Sequence, residues 1–134
     1  WMILQAEEPE DWVIATGKTT TVREFVRLAF KEVGIELEFK GYGVNEIATV
    51  VKCTNPLFQI KTGKEILSID SNYFRPTEVD LLIGDPTKAR EKLGWVAEHD
   101  LVSLINDMMQ SDVKLMQKQQ YLKNGGYSTN NFHE

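Results

Sequence analysis

The sequence predicts an α/β fold. Helical apolar spacing, bounded by capping residues, recurs after Thr21, after Asp85 and after Asp100. Ile35, Leu37 and Phe39 alternate with Glu36, Glu38 and Lys40, the period of a half-buried strand. Short apolar runs rich in β-branched residues lie between these segments and end on glycine.

In chain order, Trp1–Met2–Ile3–Leu4–Gln5 has the apolar character of a helix end and lacks the charged start of a secretory signal. It is expected to be the last turns of a helix in a longer protein. Glu7 to Asp11 is an acidic connector, most simply solvated. Trp12 to Thr16 is expected to be a buried strand ended by Gly17. Thr21 and Glu24 fit a capping box. The helix after them places Val22, Phe25, Val26, Ala29, Phe30 and Val33 on one face, with Arg23, Glu24, Arg27, Lys31 and Glu32 opposite. Gly34 ends it.

Gly41–Tyr42–Gly43 turns the chain after the alternating strand. Ile47 to Cys53 and Lys64 to Asp70 are each expected to be strands, and Val79 to Ile83 a short buried one. Asp85 is the expected N-cap of a helix with Pro86 in its first position. Ala89 and Leu93 share one side of it, and Gly94 stops it before Trp95. Asp100 caps a last helix whose apolar stripe is read as Leu101, Leu104, Ile105 and Met108, extended by Leu115 and Met116. Residues 1–123 make one domain, and the polar tail 124–134 is expected to be disordered.

Composition narrows the function classes. A net charge of −5 leaves no basic stripe for a nucleic-acid groove. No run approaches the roughly 18 apolar residues of a membrane span. The single cysteine, Cys53, forms no internal disulfide, and a reducing cytoplasm is the simplest compartment. His99 and His133 have no Cys or His at metal-ligand spacing. Cys53 reads as a packed thiol, and the Met108–Met109 pair as core.

Two glycine segments invite a phosphate-binding reading and fail it. Thr16–Gly17–Lys18–Thr19–Thr20 lies between a strand and a helix, but the phosphate-loop pattern requires a glycine where Trp12 stands. Gly41–Tyr42–Gly43 is half of a dinucleotide fingerprint with no helix opening behind it.

The strongest candidate is Arg75 with Glu78. Pro76 holds the arginine extended, so guanidinium and carboxylate are brought near one ligand. As a surface ion pair they would contribute roughly 0–1 kcal/mol. As a site, Arg75 would grip a phosphate through its planar donor fork and Glu78 would accept hydrogen bonds from sugar hydroxyls.

Arg75–Pro76–Thr77–Glu78–Val79, Gly84–Asp85–Pro86–Thr87–Lys88–Ala89 and Leu93–Gly94–Trp95 resemble the C-terminal substrate-binding signature of extended short-chain dehydrogenase/reductases. Glu8 to Gly17, Val22 to Val26 and the approach from Asp70 to Pro76 narrow the resemblance to the GDP-mannose 4,6-dehydratases. The likeness covers the chain apart from its tail. It implies the C-terminal substrate-binding part of such an enzyme, with the N-terminal Rossmann half missing. It implies an NADP-dependent lyase that converts GDP-mannose to GDP-4-keto-6-deoxymannose and water, a precursor of GDP-fucose, in a full-length, homo-oligomeric enzyme. By motif position Arg75 would contact the diphosphate and Glu78 the ribose hydroxyls.

The family's Thr/Glu acid–base pair and its Tyr-x-x-x-Lys motif fall upstream. Neither Tyr-x-x-x-Lys nor a glycine fingerprint occurs here, so no catalytic and no cofactor-binding residue is assigned and the chain alone is expected to be inactive. Val96–Ala97 stands where the family usually has Lys-Pro, and Leu57 to Thr62 falls in a variable loop. The alternatives are another nucleotide-sugar epimerase or dehydratase and a non-catalytic binding module.

Overall fold

The computed structural model describes residues 1–75 and 82–128. Three helices and one antiparallel sheet of three strands account for the regular structure. Helix α1 spans Val22–Glu32 and α2 Thr87–Leu93; α3 spans Leu101–Asn124. The strands are β1 Ile35–Lys40, β2 Ile47–Cys53 and β3 Glu65–Ser68, in spatial order β1-β2-β3.

Helix α1 starts where its cap dictates. The Thr21 hydroxyl accepts from the Glu24 N–H at 3.1 Å, satisfying one orphan donor of the first turn. The reciprocal half of the box is absent, because the Glu24 carboxylate turns along the helix to a bidentate pair with Arg27, at 2.6 and 2.8 Å. Gly34, at φ 77°, reverses the chain into β1. There the alternation seen in the sequence becomes a pattern of burial, with Ile35 buried, Leu37 and Phe39 partly covered and the charged residues between them exposed. Leu37 faces Val50 and Phe39 faces Ala48 across the ladder, and Val50 and Ala48 are buried. Helix α1 packs against both β1 and α3. The buried core is accordingly small: Ala29, Ile35, Ala48, Val50, Ala89 and Ile105.

Gly41 reaches φ 87° in the turn between β1 and β2. A side chain there would place its Cβ 2.1 Å from the Asn45 carbonyl oxygen, so the turn requires glycine. The Asp100 carboxylate caps α3 as expected, accepting from the Ser103 N–H at 2.8 Å. Asp85 also accepts as expected, from the Thr87 N–H at 2.9 Å, although the helix itself begins one residue later than Pro86. At the other end of α2 the Gly94 N–H donates to the Arg90 carbonyl and the Trp95 N–H to Ala89, with Gly94 left-handed.

Several expectations are corrected. Trp12 to Thr16 does not pair in a ladder among the described residues, and Val13 and Ile14 are exposed. It lies alongside Gly84, whose added Cβ would sit 2.6 Å from the Ala15 Cβ. An apolar run makes a strand only where a neighbour supplies ladder partners. Most of the second expected run, Val79 to Leu81, lies outside the described residues, and Leu82 and Ile83 are exposed and irregular. Val22 is exposed.

In the first half of α3 the covered apolar positions are Leu101, Ile105, Met109 and Val113, four residues apart, whereas Leu104, Met108, Leu115 and Met116 are exposed. Met108 therefore is not core. Trp1 to Ala6 forms a single 3-10 turn, Met2–Gln5, held by Leu4 N–H to Trp1 and Ala6 N–H to Ile3. Asn124 ends α3, Gly126 is left-handed, and the Tyr127 N–H donates to the Leu122 carbonyl. Residues 129–134 lie outside the described part.

Candidate functional site

Arg75 follows a turn built by Asp70. The Asp70 carboxylate accepts from the Asn72 N–H at 2.8 Å and its carbonyl from the Tyr73 N–H at 3.1 Å. Phe74 and Arg75 follow the turn outside any helix or strand. The Arg75 side chain is exposed, and so is Tyr73, at 84%. Phe74 is 44% exposed and approaches the turn between β1 and β2, its Cζ lying 4.0 Å from where a Gly43 Cβ would stand. Arg75 thus follows a short-range turn and is open to solvent. Glu78 lies outside the described residues, and its relation to Arg75 with it.

The chain after this stretch is fastened to the connector before α1. Lys88 and Lys92, one turn apart on α2, both reach Glu10, at 2.6 and 2.8 Å. Lys88 also donates to the Asp11 carbonyl at 2.9 Å and lies 4.9 Å from the centre of the Trp12 ring. Hydrogen bonds from Lys88 and then from Lys92 hold the Glu10 carboxyl down to about 2. The acidic connector is therefore not merely solvated. The cue was the i, i+4 lysine pair; its partner was not legible, being 82 positions away from Lys92.

This pairing carries a pH signature. A carboxyl group whose pKa is lower folded than unfolded favours the fold fully above its unfolded value. For Glu10 that contribution is complete above pH 4.5 and fades as the pH falls toward about 2. Glu10→Gln should therefore lower the melting temperature at about pH 6 and have no further effect near pH 2, with added salt shrinking the difference. A difference that stayed constant across that range would rule the ion pair out as its source.

A second pair bridges α1 and the turn between β1 and β2. Arg23 Nε donates to Glu46 Oε1 at 2.5 Å, with the Glu46 side chain only 16% exposed. The Arg23 guanidinium also lies 5.9 Å from the Phe39 ring centre. Arg23 was read only as part of a polar helix face.

The two glycine segments carry no phosphate cradle. Gly17 is left-handed, but α1 begins only at Val22 and its first turn is already capped by Thr21. Lys18 instead lines a cleft of about 740 Å³ with Thr16, His99 and the start of α3. Gly43 opens a three-residue 3-10 turn that leads into β2. Cys53 is half-buried, with its Sγ 3.1 Å from the Phe58 carbonyl oxygen. Among the described residues no group of three or more His, Cys, Asp or Glu side chains converges, and no helix is long and apolar enough to cross a membrane.

The family model for GDP-mannose 4,6 dehydratase matches residues 1–108, which include the whole stretch from Asp70 to Trp95. The chain belongs to this family. It is 48% identical over 128 residues to a GDP-mannose 4,6-dehydratase of Yersinia enterocolitica, covering 95% of this chain and 34% of that protein. A GDP-mannose 4,6-dehydratase of Vibrio cholerae is 45% identical over 133 residues, 97% of this chain and 35% of the relative. The GDP-mannose 4,6 dehydratase of Homo sapiens is 42% identical over 116 residues, 87% of this chain and 29% of the relative. The chain thus spans about a third of the length of the dehydratases it matches. Membership agrees with the narrower of the resemblances carried by the motifs.

Proposed function

We propose that this chain is the nucleotide-sugar-binding part of a GDP-mannose 4,6-dehydratase, a lyase that yields GDP-4-keto-6-deoxymannose and water. In this reading Arg75 holds the diphosphate and Glu78 accepts from the ribose hydroxyls. The observation that supports it is the family match across residues 1–108, the span in which Arg75 and Glu78 fall. The exposure of Arg75 supports it further, since a planar guanidinium open to solvent can take a diphosphate in two parallel hydrogen bonds.

NADP belongs, in this reading, to the part of the enzyme outside this chain. Gly41 and Gly43 do not fit a dinucleotide: only a three-residue 3-10 turn opens at Gly43, and the Asn45 backbone occupies the space beside Gly41. The exposed Trp1, Leu4, Val13, Ile14, Leu82 and Ile83 side chains support a surface covered by the rest of a homo-oligomeric enzyme, which in this reading is cytoplasmic.

Incubated alone with GDP-mannose and NADP, the chain should give no 4-keto product, whereas the complete enzyme carrying it should. Turnover by the chain alone would overturn the division of labour. A complete enzyme inert toward GDP-mannose but active on another nucleotide sugar would overturn the substrate.

A further inference from the structure

We propose that the exposed apolar face of α3 pairs with the same face of a second copy of this chain, antiparallel, about a two-fold axis near Ser111. The inference stands apart from the reading of Arg75. The family match ends at residue 108, so it assigns no role to the second half of α3.

An α-helix turns by about 100° per residue, so Leu104, Met108 and Leu115 fall within about 40° of one another around its axis. All three are exposed, and the small Ser111, exposed as well, lies on the same face. The stripe through Ile105 is the one seated where α3 meets α1. Helix α3 thus carries a second apolar stripe beside its packed one.

The charges decide what that stripe fits. From Leu101 to Asp112 the charged side chains are Asp107 and Asp112, and from Val113 to Asn124 they are Lys114, Lys118 and Lys123. The helix dipole favours such a division only within the first and last turns, whereas Asp107, Asp112 and Lys114 stand in the middle of α3. Asp107, Lys114 and Lys118 edge the exposed stripe on one side. Among the described residues none of these three enters an ion pair. A parallel copy would set acid against acid and base against base. An antiparallel copy sets each half against its opposite.

Two-fold symmetry makes every contact reciprocal. With the helices crossing at Ser111, Asp107 comes within about one residue's rise of the partner's Lys114. Met108 comes equally close to the partner's Leu115, and each contact is made twice. A serine at the crossing lets the two axes approach closely. One helix pair buries less than the roughly 1,600 Å² of a standard interface, so the association is weak and dilute protomers keep Met108 exposed.

The experiment uses the complete enzyme at high concentration under mild oxidation. Ser111→Cys should give a disulfide-linked pair of chains. The unsubstituted enzyme, which keeps Cys53, should give none, and neither should Gln110→Cys, whose side chain leaves α3 in another direction. With Ser111→Cys in place, Asp107→Lys sets a lysine against the partner's Lys114 and should slow cross-linking about tenfold. Adding Lys114→Asp should restore the rate, because each copy then carries the exchanged pair. Each rate is divided by the rate at which the same thiol is alkylated, which removes any change in its reactivity. Should Asp107→Lys fail to fold, Lys114→Asp alone tests the same contact and should slow cross-linking in the same way. No cross-link, a cross-link indifferent to charge reversal, or one formed as readily by Gln110→Cys would overturn the pairing. A thiol at position 111 that resists alkylation would show the face covered by another part of the same protomer, and would overturn it too.

Discussion

Arg75→Ala, made in the complete enzyme, is expected to raise the Kd for GDP-mannose roughly 10- to 100-fold while leaving the melting temperature almost unchanged. The magnitude follows from a charge-assisted hydrogen bond, worth about 1.5–3 kcal/mol where it forms. The selectivity follows from the place of the residue. Arg75 is exposed, and among the described residues it enters no hydrogen bond or ion pair. Its removal should therefore cost the fold little. Arg75→Lys is the informative companion. It keeps the charge but loses the fork, so it should recover only part of the affinity. Isothermal titration with GDP and GDP-mannose, paired with thermal melts, separates the effects. A lowered melting temperature with unchanged affinity would return Arg75 to the role of a surface ion-pair partner.

The largest effect on stability is expected at Ile105. It is 3% exposed where α3 meets α1, and Ile105→Ala should cost roughly 2–5 kcal/mol through lost burial and a residual cavity. Met108 lies three residues on and is 43% exposed, so Met108→Ala should cost well under about 1 kcal/mol. The two substitutions remove similar apolar volume from the same helix, so their difference reports which side of α3 is packed. Denaturant melts of both variants decide it. Equal losses would mean that the outward side of the helix is covered in solution.

That contrast marks where sequence reasoning stopped. Periodicity located α3, and its cap was legible in Asp100, because both are local properties of the chain. Periodicity did not choose between two overlapping stripes, one through Leu104 and Met108 and one through Leu101, Ile105, Met109 and Val113. Each is apolar at helical spacing, and only the position of α1 selects the second. The same limit explains Trp12 to Thr16, whose composition favours a strand but which has no ladder partner among the described residues.

The candidate site divides along the same line. Arg75 and Glu78 were found because proline, charge spacing and family motif lie within a few residues of one another. Glu78 lies outside the described residues, so the pair remains a proposal. The Glu10 clamp and the Arg23–Glu46 pair had no such local signature. In each the partners are charged residues common on any polar face, separated by 82 positions between Glu10 and Lys92 and 23 between Arg23 and Glu46.

Local order in the amino-acid chain, then, established the helices with their caps, the alternating strand, the glycine turns and the family. The tertiary fold alone decided which apolar stripe is buried and which charges meet. The physical reason is range: capping, periodicity and backbone preference act over a few residues, whereas burial and ion pairing depend on which distant segments the packed core brings together.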